Sequence, residues 1–348
     1  MPGGRDAPSA RRRAARREGR PMLTYIARRC LYGLLILAGV NLATFFLFFT
    51  VNTPDDMARL NIGGRRVTAE QIEKWKVERG YDKPLYFNAE RQGTQRFTDT
   101  IFWDRSVSLF RLDFGRGDSA TAGDIGYQVR QRMWVSLQLA VPLLLLQVIV
   151  SVAFALVLVM FRDTRIDFWG VVLCVVMLSI SSLFYIIVGQ YVFSRLARLV
   201  PISGYAGGLD AVKFLVLPVL LSLLARLGGE GRLYRAMFLE EIGKDYVRTA
   251  RAKGLAEQWV LVRHVLRNAL IPILTSAGGY LPYVFLGSLV VESFFGIPGL
   301  GAYVIDAIAS QDFAIVRTMV FIGSALYIAS FILVDIAYTV VDPRVRLG

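Results

Sequence analysis

The chain has 348 residues, 55% of them apolar and 19% charged, with a mean hydropathy of +0.48 and a formal net charge of +13. Apolar blocks this long exclude a water-soluble enzyme, and the same composition excludes an intrinsically disordered protein. The charge is local: Arg5 to Arg29 holds nine Arg against Asp6 and Glu18. Beside an apolar block such a cluster marks the cytoplasmic side of a membrane rather than a nucleic-acid surface.

A helix crosses the roughly 30 Å hydrocarbon core with roughly 20 apolar residues. Residues 1–21 read as a basic, disordered cytoplasmic tail, or as the product of a start codon assigned ahead of Met22. Residues 22–51 hold the first span, and the run Cys30 to Pro54, which covers most of it, carries no charge. That run is too long for a signal peptide, and no A-x-A cleavage site follows it.

Residues 52–132 form a long extracytoplasmic segment of mixed charge. Within it Thr68 and Gln71 fit a capping box, predicting a short helix from Ala69 to Arg79 that carries Ile72 and Trp75 and ends at Gly80. Leu109 to Gly115 reads as an aromatic-rich extended or turn segment. The whole stretch is either a solvated connector or a docking or gating subdomain.

Residues 133–348 supply five further spans: Met133 to Phe161, Phe168 to Ser194, about Leu209 to Gly228 (with Lys213, Pro218 and Arg226), Asn268 to Val291, and Thr318 to Val341 with Asp335 inside. The predicted fold class is therefore all-α, a polytopic membrane protein with six transmembrane helices. Isolated polar residues such as Asn41 and Gln147 find partners on neighbouring helices. Cys30 and Cys174 imply no disulfide framework, and the one histidine, His264, supports neither a metal site nor a catalytic cluster.

Orientation follows from Lys and Arg. The basic N-terminus, the Arg162/Arg165 pair and the eight Lys/Arg of residues 229–267 fall on one side of a six-span chain. Both termini are then cytoplasmic, with Arg195 and Arg198 as the contrary loop. Within 232–267 a helical pattern runs through Met237, Phe238, Ile242, Tyr246, Val247 and Ala250, and Gly254 ends it before Ala256 opens a second short helix. Helix, glycine turn and helix make a knob whose small residues admit a partner closely and whose cations meet an acidic rim. The alternative is a positive-inside loop on anionic headgroups.

Arg226, Glu230 and Asp335 are charged residues in or beside spans. Arg226 and Glu230, four apart, share a helix face. They lie either in the inner headgroup layer or along the inner mouth of a pathway that handles the charged termini of a peptide. Asp335 reads as the structural partner of an Arg or a backbone amide rather than as a cargo contact.

Asp245-Tyr-Val-Arg-Thr-Ala-Arg-Ala-Lys-Gly-Leu255, with Arg263-His-Val-Leu-Arg-Asn-Ala-Leu-Ile-Pro272, closely resembles the cytoplasmic signature of dipeptide/oligopeptide-type ABC transporter permeases. Met22-Leu-Thr-Tyr-Ile-Ala-Arg-Arg29, Glu292-Ser-Phe-Phe-Gly-Ile-Pro-Gly-Leu-Gly301, Asp312-Phe, Val334-Asp-Ile-Ala-Tyr338 and Val341-Asp-Pro-Arg-Val-Arg346 are similar to further motifs of that family, in family order. The start and the long first loop are similar to the first (B-type) permease of the pair.

The resemblance implies a permease subunit of a binding-protein-dependent importer in the bacterial plasma (inner) membrane. Its implied cargo is di- or oligopeptides, with a nickel chelate or another peptide-like molecule as alternatives inside the family. It implies that Tyr246, Arg248, Thr249, Ala250, Lys253, Gly254 and Leu255 contact an ATPase, and that Pro298, Gly299 and Gly301 belong to an outer loop or gate. The general Glu-Ala-Ala-x-x-x-Gly form is replaced by Arg248-Thr249-Ala250, the form common in the peptide branch.

The implied partners are a second homologous permease, two cytoplasmic ATPases, an extracytoplasmic solute-binding protein and membrane lipid, with no nucleic acid. The chain has no G-x-x-x-x-G-K-[ST] loop, so ATP and Mg fall to the partner ATPases and this subunit needs no cofactor of its own. The rivals are a self-sufficient ion-coupled carrier or channel, which would show an inverted repeat or paired mid-bilayer acids, and a membrane-bound enzyme, which lacks its catalytic cluster.

Overall fold

The computed structural model describes residues 7–63, 67–119 and 123–341. Among these every regular element is a helix, apart from one isolated antiparallel bridge between Arg116 and Asp124. The chain opens with α1 (Ala7–Val51), α2 (Pro54–Ile62), α3 (Ala69–Arg79) and α4 (Gln95–Thr98). Then come α5 (Ile125–Met160), α6 (Arg165–Ser179), α7 (Ser182–Gly189) and α8 (Ala211–Ile242). The short α9 (Asp245–Ala252) and α10 (Glu257–Trp259) lead into α11 (Leu266–Gly278), α12 (Leu281–Leu286), α13 (Leu289–Phe295), α14 (Leu300–Ala309) and α15 (Phe313–Val341).

Among the described residues five helices can cross a membrane unaided: Ala27–Val51, Ile125–Met160, Ala211–Ile242, Glu257–Gly278 and Phe313–Ile336. Two bent pairs raise the number to as many as seven, a range that includes the expected six. Three expected boundaries need correction. The run 168–194 is broken and turns by 90° between α6 and α7, because the Ser181 side chain accepts from Phe184 N and starts a new helix. The run 268–291 is divided among α11, α12 and α13, the first break falling at Gly279 and Tyr280. The span expected to end at Gly228 continues to Ile242, so the first part of segment 232–267 belongs to α8.

At the N-terminus, α1 starts at Ala7, inside the stretch 1–21 read from the sequence as a tail. Residues 1–6 and 342–348, the latter with most of the C-terminal motif, lie outside the described residues.

The chain divides into two compact units. One comprises Met1–Arg59, Val67–Arg111 and Val320–Gly348. Here α3 has the predicted bounds: Thr68 and Gln71 form both bonds of the capping box, Gly80 closes the helix in the left-handed conformation, and Ile72 and Trp75 are buried. Trp75 stacks on Tyr81 at 5.4 Å, Phe45 meets Phe102 edge-on at 5.0 Å, and Asn41 Nδ2 donates to Ser106 O at 3.0 Å. The loop stretch is thus a folded body. Of Leu109 to Gly115, expected as extended or turn, the first three residues lie in a helical turn, Ser108–Arg111, and the rest do not. Arg29 pairs with Asp335 at 3.1 Å, the structural role expected for that aspartate.

The other unit holds Leu60–Arg66 and Leu112–Met319. Its centre is α8, packed on α5 and α6 so closely that a methyl at Gly228 would lie 2.6 Å from the Cys174 carbonyl oxygen. Small residues are what permit helices to approach this closely in a membrane. Arg235 Nε and Nη2 grip Asp167 Oδ1 and Oδ2 at 2.7 and 2.6 Å, fixing α8 to the start of α6. A bidentate fork of this kind holds angle as well as distance.

Candidate functional site

Three arrangements in the second unit bear on function. The first is a cavity of about 230 Å³ among α5, α8, α12 and α13. Ser222, Arg226 and Glu230 line it from α8, and spacing of one helical turn places them in a single stripe. Gln147 faces it from α5, and Tyr280 and Tyr283 from the chain around α12. Arg226 lies over the Tyr280 ring, 5.3 Å from its centroid. Glu230 is 5% exposed, and its Oε2 accepts from Ser151 Oγ at 3.3 Å. Ser151 Oγ in turn accepts from Gln147 Nε2 at 3.0 Å.

The structure therefore brings Arg226 and Glu230 together on one cavity wall. Sequence reasoning gave Ser151, Tyr280 and Tyr283 no role here, and it expected Gln147 to find its partner on a neighbouring helix. A signal was present: Gln147 and Ser151 are spaced by four within the charge-free run Met133 to Phe161, hence on one helix face.

The second arrangement is the knob, α9 through α10. Lys244 precedes α9 in extended conformation, and Gly254 follows it at φ 76°, in open space where a side chain would be strained by backbone alone. Arg251 pairs with Glu257 across that turn, Nε to Oε2 at 3.0 Å. Val247 and Ala250 face inward and pack with Tyr234, Phe238, Val260 and Leu261.

The residues expected at the contact divide into buried and exposed. Ala250 is 5% exposed and belongs to the knob's core, because positions 247 and 250 are on the buried face of a short amphipathic helix. Tyr246 is half-buried, with its hydroxyl donating to Glu241 Oε2 at 2.6 Å. Burial, then that bond, pushes the Tyr246 hydroxyl up to about 12. Arg248, Thr249, Lys253, Gly254 and Leu255 are exposed, and Trp259 stands out beside them.

The third is the corner between α13 and α14. Glu292 is fully buried. Its Oε1 accepts from Ser136 Oγ at 2.8 Å and Ser288 N at 3.2 Å; its Oε2 accepts from Gly301 N at 2.7 Å and Ala302 N at 3.2 Å. Helix α14 has no cap from its own N-cap residue, Gly299, so the Glu292 carboxylate satisfies the amides at its start. A Cβ on Gly299 would overlap that carboxylate, and one on Gly301 would sit 2.7 Å from Leu289 N. Pro298 is exposed at the turn. The expected outer loop is thus a rigid corner built on a residue quoted for the motif but given no role. Among the described residues no three His, Cys, Asp or Glu side chains come together as a metal site.

Several apolar helices, a cavity carrying charges on a span, and an exposed basic knob define a membrane-embedded transport component. The chain belongs to the family of binding-protein-dependent transport system inner membrane components: residues 147–347 match that family, and residues 22–143 match its N-terminal segment. The ABC transporter permease resemblance carried by the knob signature is borne out.

Among its relatives, a protein named as a peptide transport system permease in Brucella abortus strain 2308 is 32% identical over 330 residues, covering 93% of this chain and 99% of the relative. A counterpart in Brucella melitensis biotype 1 is also 32% identical with the same coverage. The glutathione transport system permease protein GsiC of Escherichia coli K12 is 29% identical over 325 residues, again 93% and 99%.

Proposed function

We propose that the chain forms half of the translocation pathway of an ATP-driven importer for short peptides. Its partners in this reading are a second related permease, two ATPases seated on the knob and a binding protein that delivers cargo from outside; both of its own termini are cytoplasmic. Relatives named for peptide and glutathione transport support peptide-like cargo. The observation that carries the reading is α8 itself, which lines the charged cavity along its middle and supports the knob at its C-terminal end.

In this reading Arg248, Thr249, Lys253 and Leu255 meet the ATPase, Gly254 shapes the turn, and Ala250 and Tyr246 hold the knob's shape from within. Arg226 and Glu230 line the pathway. ATP and Mg bind the partners, whose closure drives the knobs together and alternates the access of the cavity.

Co-purification with the ATPases tests this. The Arg248→Glu/Lys253→Glu double variant should fold normally and lose the ATPases, since exposed substitutions change stability by only about 0.5 kcal/mol. Ala250→Leu should instead cost about 1–3 kcal/mol of stability by overpacking. Retention of both ATPases by the double variant, or full vectorial uptake by the chain reconstituted alone, would defeat the proposal.

A further inference from the structure

We infer that the cavity is a polarised subsite for a zwitterion, in which Gln147 and Glu230 hold a primary ammonium while Arg226 holds a carboxylate. The inference rests on the peptide reading above and adds which end of the cargo goes where.

Hydrogen-bond accounting carries it. Ser151 has one hydroxyl hydrogen, and it points to Glu230 Oε2. Gln147 must then present its amide NH2 to Ser151 Oγ, which turns Gln147 Oε1 away from that bond. Gln147 is 2% exposed and Glu230 5% exposed, and among the described residues neither Gln147 Oε1 nor Glu230 Oε1 has a hydrogen-bond partner. Both atoms accept when Glu230 is ionised, and the Tyr280 hydroxyl also lies toward Glu230. A buried acceptor pair with a negative charge calls for a ligand made only of donors, and an ammonium offers three N–H groups and no acceptor. A carboxylate at that end would be repelled.

The other end follows from the helix. Arg226 precedes Glu230 by one turn on the same wall, about 6 Å away along the stripe. Two extended residues span roughly 7 Å, so a dipeptide's ends match that separation. The 230 Å³ volume is below the roughly 300–1,000 Å³ of a drug-sized site, which suits one or two small residues. Because α8 proceeds from Arg226 through Glu230 to the knob, the amino end lies nearer the knob.

The test uses the assembled transporter, with its partner subunits and binding protein, in proteoliposomes. Uptake of Ala-Ala, N-acetyl-Ala-Ala and Ala-Ala amide is compared in wild type and variants. The binding protein's own preferences are common to all variants and cancel in the ratios. Glu230→Gln should shrink the preference for Ala-Ala over the acetylated probe by about tenfold or more, the worth of a charge-assisted hydrogen bond, and leave the preference over the amide intact. Arg226→Gln should do the reverse, and Glu230→Asp should keep both preferences. Should Glu230→Gln fail to assemble, Gln147→Met removes the other acceptor and should weaken the same preference.

Unchanged preference in Glu230→Gln, or equal loss of both preferences in both variants, overturns the inference while leaving peptide transport standing. Failure of wild type to move any of the three probes while it hydrolyses ATP overturns the peptide reading and the inference with it.

Discussion

Glu292→Gln is a near-isosteric change with a calculable penalty. Each carboxylate oxygen accepts two hydrogens, from Ser136 and Ser288 on one side and from Gly301 and Ala302 on the other. Ser136 Oγ already accepts from Leu300 N at 2.8 Å, and reversing its bond to residue 292 would leave its own hydroxyl hydrogen without an acceptor. Whichever way the new amide is turned, its NH2 faces two donors. A buried donor left without an acceptor costs about 1–3 kcal/mol, so two cost about 2–5 kcal/mol after partial relaxation. The side chain has no room to turn away, since Gly299 lies against the carboxylate.

The assay is thermal unfolding of the assembled complex in nanodiscs, followed by intrinsic fluorescence, with exposed Glu240→Gln as control. The apparent melting temperature should fall by about 5 °C or more, at a few degrees per kcal/mol. Melting within a degree of wild type would refute the claim that this carboxylate holds the corner.

Asp312 makes a second anchor. Its carboxylate accepts from Asp118 N and Ser119 N, both at 2.9 Å, while Asp118 Oδ2 accepts from Ala314 N at 3.0 Å. Asp312→Asn should raise amide hydrogen exchange at residues 118 and 119 by tenfold or more, the equivalent of about 1.4 kcal/mol; unchanged exchange there would count against it. Tyr246→Phe should lower stability by about 1 kcal/mol through loss of the bond to Glu241. The native hydroxyl titrates at about 12, against about 10 when unfolded, so folding favours its protonated form. The advantage of wild type over Tyr246→Phe is then whole below pH 10 and shrinks as pH rises toward 12. Paired melting curves from pH 9 to 12 check the sign, and a gap that widens with pH contradicts it.

What could be read from the sequence was what short spacings encode. The Thr68/Gln71 cap, the Gly254 turn and the shared face of Arg226 and Glu230 are local patterns, and each is present in the structure. The broken spans were hidden because Ser181 and Gly279 interrupt a helix without lowering the hydropathy of the window around them. Glu292 with Ser136, and Asp312 with Asp118, are joined over 156 and 194 residues, and no periodicity reaches that far. Ala250 looked like a contact because small residues suit an interface, yet they suit a tight interior equally well. Only the packing of α9 on its neighbours separates the two.

Helix α8 places Glu230 and the root of the knob on a single rod, twelve residues or about 18 Å apart, with the Asp167 grip on Arg235 between them. No residue along that length breaks the helix, so no joint is available to absorb a displacement. If the knob seats an ATPase and the cavity takes cargo, as proposed, a tilt imposed at the knob would reappear as a shift of the Glu230 carboxylate, and an occupied cavity would press back on the knob. Cargo sensing and power delivery would then be two readings of one rigid coordinate, with the fulcrum at a single ion pair.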